Sequence, residues 1–303
     1  MATDSALALV NLSKQYPGAK QPALAGVSLR VAAGEVYGFL GANGAGKSTT
    51  IRTLLNFIQP TGGTATIAGF DIVRDAVKVK RHVGYLAGDV ALYNRMTGRH
   101  FLRYMAALQP LPDTSYMHRL AQDFQAELDK PLGTLSKGNR QKIGVIQAFM
   151  HQPAVLILDE PTSGLDPLMQ EVFFAAVRGV RQRGGSVFFS SHNLAEVQRI
   201  CDRVGFIRTG KLVREQSLSE LAANAAHTFD LTFAQPAPVA ALRQLPRAQV
   251  VTGNDTHHVS VAVPAEAFSL FFGLLAQYPL RQFQQREVNL EEEFLNFYRE
   301  DAA

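Results

Sequence analysis

The segment Gly41–Thr49 has the residue types and spacing needed to hold phosphate groups. It reads GANGAGKST and fits the pattern G-x-x-x-x-G-K-[S/T]. In this pattern glycines let backbone N–H groups approach phosphate oxygens, Lys47 places a positive charge on the β- and γ-phosphates, and Ser48 offers a hydroxyl to Mg²⁺. A helix that begins at Lys47 adds the positive end of its dipole to the same site. The predicted ligands are ATP and Mg²⁺, bound by Gly41, Ala42, Asn43, Gly44, Ala45, Gly46, Lys47, Ser48 and Thr49.

Two adjacent carboxylates follow an apolar run later in the chain. The segment Ala154–Asp159 reads AVLILD, which predicts a strand at the centre of a sheet that is covered on both faces. Carboxylates at the end of a buried strand are costly to keep there without a cation nearby. We therefore expect Asp159 to serve as a ligand of Mg²⁺ and Glu160 to polarise the attacking water as the catalytic base.

Two further polar segments accompany the phosphate loop. The segment Leu135–Asn139 reads LSKGN, and taken alone it predicts a helix N-terminus capped by Ser136, which is a second potential anion site. The pair Ser191 and His192 follows a predicted strand at Val187–Ser190. The four segments together supply two phosphate clamps, a magnesium carboxylate with an adjacent base, and a histidine.

This set and order of motifs resembles the ATP-binding subunit of an ABC transporter. The resemblance covers about residues 6–215 and implies that the LSKGN segment is the signature that contacts the γ-phosphate of a nucleotide held by a second subunit. It also implies a histidine on the γ-phosphate, an aspartate in the loop that communicates across the dimer, and an aromatic side chain stacked on adenine. The implied residues are Ser136, Lys137 and Gly138, then His192, Asp166 and Tyr16.

Two departures from the family pattern concern the signature and the magnesium site. Lys137 and Asn139 stand where the family usually has glycine and glutamine. After the predicted strand in His82–Ala87, Gly88 replaces the usual glutamine, whose side chain reaches Mg²⁺ and the lytic water in the family. Asp89 follows directly, and the sequence leaves open whether its carboxylate takes over that role.

Residues 1–216 alternate strand-like and helix-like segments, which favours an α/β fold with a mostly parallel sheet. The resemblance makes this a P-loop NTPase domain of the ABC type, with a helical subdomain at about residues 90–150. We expect a strand at Glu35–Leu40, a helix from Lys47 to about Ile58, and strands at Ala154–Asp159 and Ser186–Ser190. In Thr97–Leu108 the apolar residues Phe101, Met105 and Leu108 share one helical face, which predicts core packing.

Residues 217–303 predict a small α+β accessory domain. The expected order is strand, helix, strand, strand, helix, strand, which is the ferredoxin-like split motif. Its segments are His227–Phe233, Pro238–Leu245, Gln249–Thr252, His258–Val263, Ala265–Tyr278 and Gln282–Val288. A final helix is expected at Leu290–Arg299, burying Leu290, Phe294 and Phe297. The pair His257 and His258 has no third metal-ligand type at ligand spacing, so we expect surface residues.

Composition narrows the cellular role. The chain has 303 residues, a hydrophobic fraction of 47% and one cysteine, Cys201, which excludes an internal disulfide and suits a reducing compartment. No apolar run approaches the roughly 18 residues needed to span a bilayer, and the start has no basic segment typical of a signal peptide. Residues 1–215 carry a net charge of +9 and the remainder −5. The basic residues form no long run, so nucleic acid is not expected as the main partner.

The leading hypothesis is an ATP-hydrolysing subunit of an export complex that sits on the cytoplasmic face of the membrane. Its expected partners are a second ATPase subunit, identical or not, and an integral membrane permease. Segments such as Leu92–Thr97 and Pro161–Pro167 look similar to exporter subunits with a separate permease, including drug- and antibiotic-export systems. Two alternatives remain at this stage: a soluble ABC-type ATPase acting on ribosomes or DNA, and a nucleotide-dependent regulator that does not hydrolyse ATP.

Overall fold

The chain folds into two compact units, Met1–Gln216 and Ser217–Ala303. The computed structural model describes residues 5–109, 111, 113–220, 227–253 and 255–286. Among these residues, no helix combines the length and the apolar composition that crossing a bilayer requires.

A six-stranded sheet forms the centre of the first unit. Its strands lie in the order β10-β9-β3-β8-β7-β6, and the neighbours from β9 to β6 pair in parallel. Every residue of β3, β7 and β8 is buried, as expected for strands covered on both faces. The carboxyl ends of these strands therefore meet at one edge, where the polar segments follow them. The strands are β3 (Val36–Leu40), β6 (Val83–Leu86), β7 (Val155–Asp159), β8 (Ser186–Ser191), β9 (Arg203–Arg208) and β10 (Lys211–Ser217).

A second, smaller sheet completes the strands of this unit. It has the order β2-β1-β4-β5, with antiparallel neighbours. Alternate residues along β2 are buried, so one face of this sheet packs on the core. Its strands are β1 (Ser5–Lys14), β2 (Leu24–Ala32), β4 (Gly62–Ile67) and β5 (Phe70–Asp71).

Seven α-helices are described in the first unit, three of them grouped as the helical subdomain. The helices are α1 (Lys47–Leu54), α2 (Ala76–His82), α3 (Gly98–Leu108), α4 (Ser115–Asp123), α5 (Lys137–Phe149), α6 (Pro167–Gln182) and α7 (Leu194–Ile200). Both α3 and α4 contact α5, which also packs on β6. This packing attaches the helical subdomain to the central sheet.

Two details of these helices differ from the sequence prediction. Helix α1 ends at Leu54 rather than near Ile58, because Asn56 adopts a left-handed conformation with φ 55°. In α3 the prediction of a buried face was wrong for Leu108, which is 62% exposed at the end of the helix. Phe101 is buried as predicted, and Leu102 joins it in the core.

Aromatic packing fills the space between the central sheet and its helices. Phe188 of β8 stacks parallel to Tyr37 and packs tilted against Phe39, both on β3. Cys201, at the end of α7, is buried, and a Cβ atom at Gly38 would lie 3.1 Å from its sulfur. Burial raises the pKa of the Cys201 thiol well above its usual range.

The second unit contains four described strands in the order β12-β13-β11-β14, all paired antiparallel. The described elements follow the sequence β-α-β-β-α-β, with both helices shorter than expected. They are β11 (His227–Phe233), α8 (Val239–Leu242), β12 (Gln249–Thr252), β13 (His258–Val263), α9 (Phe268–Leu275) and β14 (Leu280–Gln285). The expected helix at Leu290–Arg299 lies outside the described residues.

Candidate functional site

The phosphate loop joins the end of β3 to the start of α1. Gly44 and Gly46 have φ values of 81° and 116°, in the left-handed region that favours glycine. A Cβ atom at Gly41 would lie 2.5 Å from the carbonyl oxygen of Ile207, and one at Gly46 would lie 2.9 Å from that of Ala23. From the sequence, we attribute these glycines to the close approach of phosphate oxygens to the backbone. The fold itself also requires them, for backbone conformation and packing.

A cavity of about 180 Å³ lies over this loop. Most of the predicted phosphate-binding residues line it, while Gly41 and Ala45 are buried and do not line it. Its lining consists of Ala23, Ala42, Asn43, Gly44, Gly46, Lys47, Ser48, Thr49 and Glu160. Backbone N–H groups at a helix N-terminus in such a concavity are suited to bind an anion.

The side chain of Lys47 is only 6% exposed and points back along the loop. Its Nζ atom donates a hydrogen bond to the carbonyl oxygen of Gly41 at 2.6 Å. The same atom lies 3.3 Å from Oε1 of Glu160. A buried ammonium group needs such partners, because an unpaired charge in the interior is strongly destabilising. Lys47 and Glu160 are therefore brought together by the fold, although they lie far apart in the sequence.

Glu160 is held between Lys47 and His192. Its Oε2 atom lies 2.7 Å from Nδ1 of His192, and its backbone has a φ of 46°, which is uncommon for a residue other than glycine. The Oε1 atom is buried and accepts no hydrogen bond. Its described neighbour is the Lys47 ammonium, so this carboxylate oxygen can accept a proton from a water molecule once Lys47 turns to phosphate.

Asp159 is the last residue of β7, and a serine near the end of the neighbouring strand positions its carboxylate. Its Oδ1 atom accepts a hydrogen bond of 2.6 Å from the hydroxyl of Ser190 on the neighbouring strand β8. Asp159, Glu160, His192 and Ser48 line one cavity of about 390 Å³. A hydroxyl and a carboxylate facing the same space provide the oxygen donors that Mg²⁺ prefers, so these residues fit the predicted metal.

Comparison with known proteins gives the family. A family model described as ABC transporter matches residues 24–163. The ABC transporter ATP-binding protein NatA of Bacillus subtilis is 33% identical over 223 residues, which are 71% of this chain and 91% of NatA. The chain belongs to the ABC transporter family.

Two further similarities extend this ABC assignment. The linearmycin resistance ATP-binding protein LnrL of Bacillus subtilis is 29% identical over 94% of this chain and 96% of its own length. A solved structure of an ATP-binding subunit of an ABC transporter has a TM-score of 0.67 and 29% identity, covering 72% of this chain and 92% of the other. The predicted family and the predicted P-loop α/β fold are confirmed, and the chain is an ATP-binding subunit with ATPase activity.

Three predicted binding segments of this ABC ATPase do not line either of the two cavities. Ser136 caps helix α5 by accepting a hydrogen bond from the N–H of Asn139, with Lys137 and Gly138 in the first turn. Asp166 caps helix α6 through Met169. Tyr16 follows β1 and is 38% exposed, with the ammonium group of Lys14 5.5 Å from its ring centroid. Within one chain, these residues do not join Lys47 and Glu160.

Several residues around the site were not predicted from the sequence. Ser190 orients Asp159, as described above. Glu196 on α7 accepts hydrogen bonds from Thr162 at 2.7 Å and from Ser191 at 2.8 Å, so it ties the loop after Glu160 to strand β8. The sequence does contain one signal for them, because the serine pair Ser190 and Ser191 ends strand β8 after an apolar run.

Gly88, which replaces the usual glutamine, lies directly against Asp159. A Cβ atom at Gly88 would be 3.3 Å from the Asp159 carbonyl oxygen and 3.7 Å from its carboxylate carbon. Asp89 and Tyr85 line the same 390 Å³ cavity. Burial, together with the negative charge of Asp159, raises the pKa of Tyr85 to about 12, so its phenol stays protonated at neutral pH.

Proposed function

We propose that this ABC ATPase powers export through a separate membrane permease, with Glu160 as the base of ATP hydrolysis. The observation that supports this most directly is the chain of contacts Lys47–Glu160–His192 beside the phosphate loop, at 3.3 and 2.7 Å. In this chain of contacts Lys47 is the cation for the phosphates, Glu160 is the carboxylate that activates water, and His192 is the side chain proposed to contact the γ-phosphate. A regulator that only binds nucleotide would not need this base.

The geometry supports the following residue roles. Lys47 exchanges the Gly41 carbonyl and Glu160 for phosphate oxygens when ATP binds, which frees the Glu160 carboxylate for water. Ser48 and Asp159 would hold Mg²⁺, which neutralises charge on the β- and γ-phosphates when it is bound. His192 donates its Nδ1–H to Glu160 in the absence of nucleotide and would contact the γ-phosphate of bound ATP.

A second ATPase subunit completes the site in this proposal. The signature residues Ser136, Lys137 and Gly138 form a helix N-terminus that does not line the cavity of the chain's own Lys47. They are available to the γ-phosphate of ATP held by another subunit. Asp166 belongs to the segment that links the two sites, and Tyr16 stacks on adenine as the family resemblance implies.

The permease docks on the helical subdomain in this proposal. An apolar cavity of about 510 Å³ lies between the loop after β6 and helices α3 and α5. Its lining includes Leu92, Tyr93, Phe101 and Met105. Such a groove suits an apolar segment of a partner protein. Binding of the permease here keeps the subunit on the cytoplasmic face of the membrane, with residues 217–303 as an accessory domain.

The decisive experiment uses Glu160→Gln with ATP and Mg²⁺. This change keeps the shape of the side chain and removes the base, so the variant should bind ATP, lose hydrolysis and accumulate as a dimer. Phosphate release measures the loss of hydrolysis, and size-exclusion chromatography with ATP measures the dimer, which forms only if ATP binds. Lys47→Ala is the control, because it removes the phosphate contact and should abolish both activity and ATP-dependent dimerisation. Continued hydrolysis by Glu160→Gln, or a variant that stays monomeric with bound ATP, would contradict the proposal.

A further inference from the structure

The signature lysine makes a contact inside its own chain. The Nζ atom of Lys137 donates a hydrogen bond of 3.0 Å to the hydroxyl of Ser163. Its methylene groups run alongside Gly164, where an added Cβ would lie 3.4 Å from Cγ of Lys137. A Cβ at Gly138 would lie only 2.6 Å from the Gly164 carbonyl oxygen, so the two loops are in tight contact. A movement of Lys137 therefore changes the contacts of the loop that contains Ser163.

Ser163 belongs to the catalytic cavity of the same chain. It lines the 390 Å³ cavity with Asp159, Glu160 and His192. Its backbone N–H also donates a hydrogen bond of 3.2 Å to the carbonyl oxygen of Glu160. The contact from Lys137 thus reaches, through one residue, the backbone that carries the catalytic base.

The hydrogen-bond partner of Lys137 within its own chain carries no negative charge. Among the described residues, none of the ion pairs within 4.0 Å includes Lys137, and its hydrogen-bond acceptor is a neutral hydroxyl. The residue also stands in the first turn of the 13-residue helix α5, where the positive end of the helix dipole disfavours a cation. A phosphate would satisfy both the ammonium group and the helix end, because its negative charge attracts the ammonium group in addition to accepting a hydrogen bond, whereas the Ser163 hydroxyl carries no charge.

We infer that Lys137 and Ser163 form a link between the two ATP sites of the subunit pair. When the partner subunit brings ATP to the signature, its γ-phosphate replaces the Ser163 hydroxyl as the acceptor for Lys137. Ser163 is then released in the catalytic cavity of the chain that carries the lysine. ADP has no γ-phosphate and leaves the link in place. This inference rests on the proposed pairing of two ATPase subunits and assigns a regulatory role to a side chain that the usual signature glycine lacks.

The test measures the ATP concentration needed to form half of the dimer in the Glu160→Gln background, where hydrolysis does not interfere. Lys137→Met keeps the length of the side chain and removes its charge, so it should raise this concentration at least about tenfold, as expected for a lost hydrogen bond to a charged group. Lys137→Arg should restore most of the affinity. Lys142→Met, on the same helix, is the matched control and should behave like the background protein.

Ser163→Ala gives the more specific result. The proposal predicts that it lowers the ATP concentration needed for half of the dimer, whereas Lys137→Met raises it. Removing the competing hydroxyl should lower the ATP concentration by about threefold, the usual size of a modest hydrogen bond. In the Lys137→Met background the same change should have no effect. The proposed exchange of Ser163 for phosphate would be overturned if Ser163→Ala raised the ATP concentration needed for half of the dimer. It would also be overturned if Ser163→Ala changed this concentration equally with Lys137 present and in the Lys137→Met background.

The outcomes separate this inference from the proposed function. If the Glu160→Gln protein forms no dimer with ATP, both fail, since the exchange requires the ATP-bound pair. If the dimer forms but Lys137→Met matches the Lys142→Met control, the proposed function stands and the link is wrong. Dimerisation of the background protein by ADP alone, to the same extent as by ATP, would also overturn the link.

Discussion

Gly88 sets how closely a side chain can approach the magnesium carboxylate of Asp159. Its Cα lies close enough that an added Cβ would be 3.3 Å from the Asp159 carbonyl oxygen, so a larger residue fits after a small shift. A glutamine at this position would extend into the cavity that Ser48 and Asp159 share. The natural chain has no side chain there, and the nearest carboxylate on this loop is that of Asp89.

We predict that Gly88→Gln raises kcat with little change in KM, because the added amide helps to hold the attacking water mainly in the transition state. Gly88→Ala is the control for the shift of the loop alone. If Asp89 already performs this role, Asp89→Ala should lower kcat and Gly88→Gln should change it little. Steady-state ATPase assays distinguish the two cases, and unchanged turnover in all three variants would exclude this loop from the catalytic site.

The phosphate loop, the Asp159–Glu160 pair and the segment with His192 each follow or end a strand of the parallel sheet, which is why the sequence could predict that these residues lie close together. Asp159 and Ser190 are paired in register across β7 and β8, which brings the magnesium carboxylate beside the segment that carries His192. The contact between Lys47 and Glu160 could not be predicted, since it depends on the left-handed backbone at Glu160. No residue pattern reports that conformation.

At the scale of elements, a polar cluster joins strands β3, β9 and β10 at the edge of the phosphate-binding fold. Arg203 donates hydrogen bonds to Glu35 at 2.8 Å and to Glu215 at 3.2 Å. The hydroxyl of Tyr37 donates to the same oxygen of Glu215 at 2.8 Å. Burial raises the pKa of Tyr37 well above its usual range, so this donor persists at all ordinary pH values.

We predict that Arg203→Met lowers the free energy of unfolding of the first unit by about 2 kcal/mol, because it leaves the Glu35 carboxylate without its charge partner. The Glu35 side chain is only 11% exposed, which makes that loss costly. The matched control is Arg74→Met, whose arginine is 82% exposed beside Asp71 and should contribute less than about 1 kcal/mol. Calorimetric melting of both variants checks the difference, and equal effects would contradict the ranking.

Element types were easier to predict than element ends. The strands β7, β8, β11, β12 and β13 lie within a residue of the predicted ranges, because runs of apolar or alternating residues mark them directly. The helices α1, α8 and α9 are shorter than predicted. Their ends depend on single backbone conformations, such as the left-handed Asn56 that follows α1, which apolar periodicity does not report.

At the scale of the whole molecule, every described phosphate and magnesium residue belongs to the first unit. Lys47, Asp159, Glu160 and His192 all precede residue 217, where the second compact unit begins. We predict that removing residues 217–303 leaves ATP affinity within about twofold, because all the described residues that line the phosphate and magnesium cavities precede residue 217. Calorimetric titration of the truncated and full chains with ATP checks this.

The truncation has an internal control in the Lys47→Ala change. The truncated chain should lose its ATP binding on that substitution as the full chain does. A folded truncated protein with much weaker ATP binding would show that the second unit contributes to the site. The charge asymmetry of +9 in residues 1–215 against −5 in the remainder already favours the first part as the one that attracts a polyanion.

The buried position of Cys201 has a practical consequence for labelling. It is the only cysteine in the 303 residues, and burial both shields its sulfur and keeps it protonated, so thiol reagents react with it slowly. A cysteine introduced at an exposed position would therefore carry nearly all of a maleimide fluorophore or nitroxide spin label. The natural sequence is thus a ready background for distance measurements by fluorescence transfer or electron resonance, without first removing a native thiol.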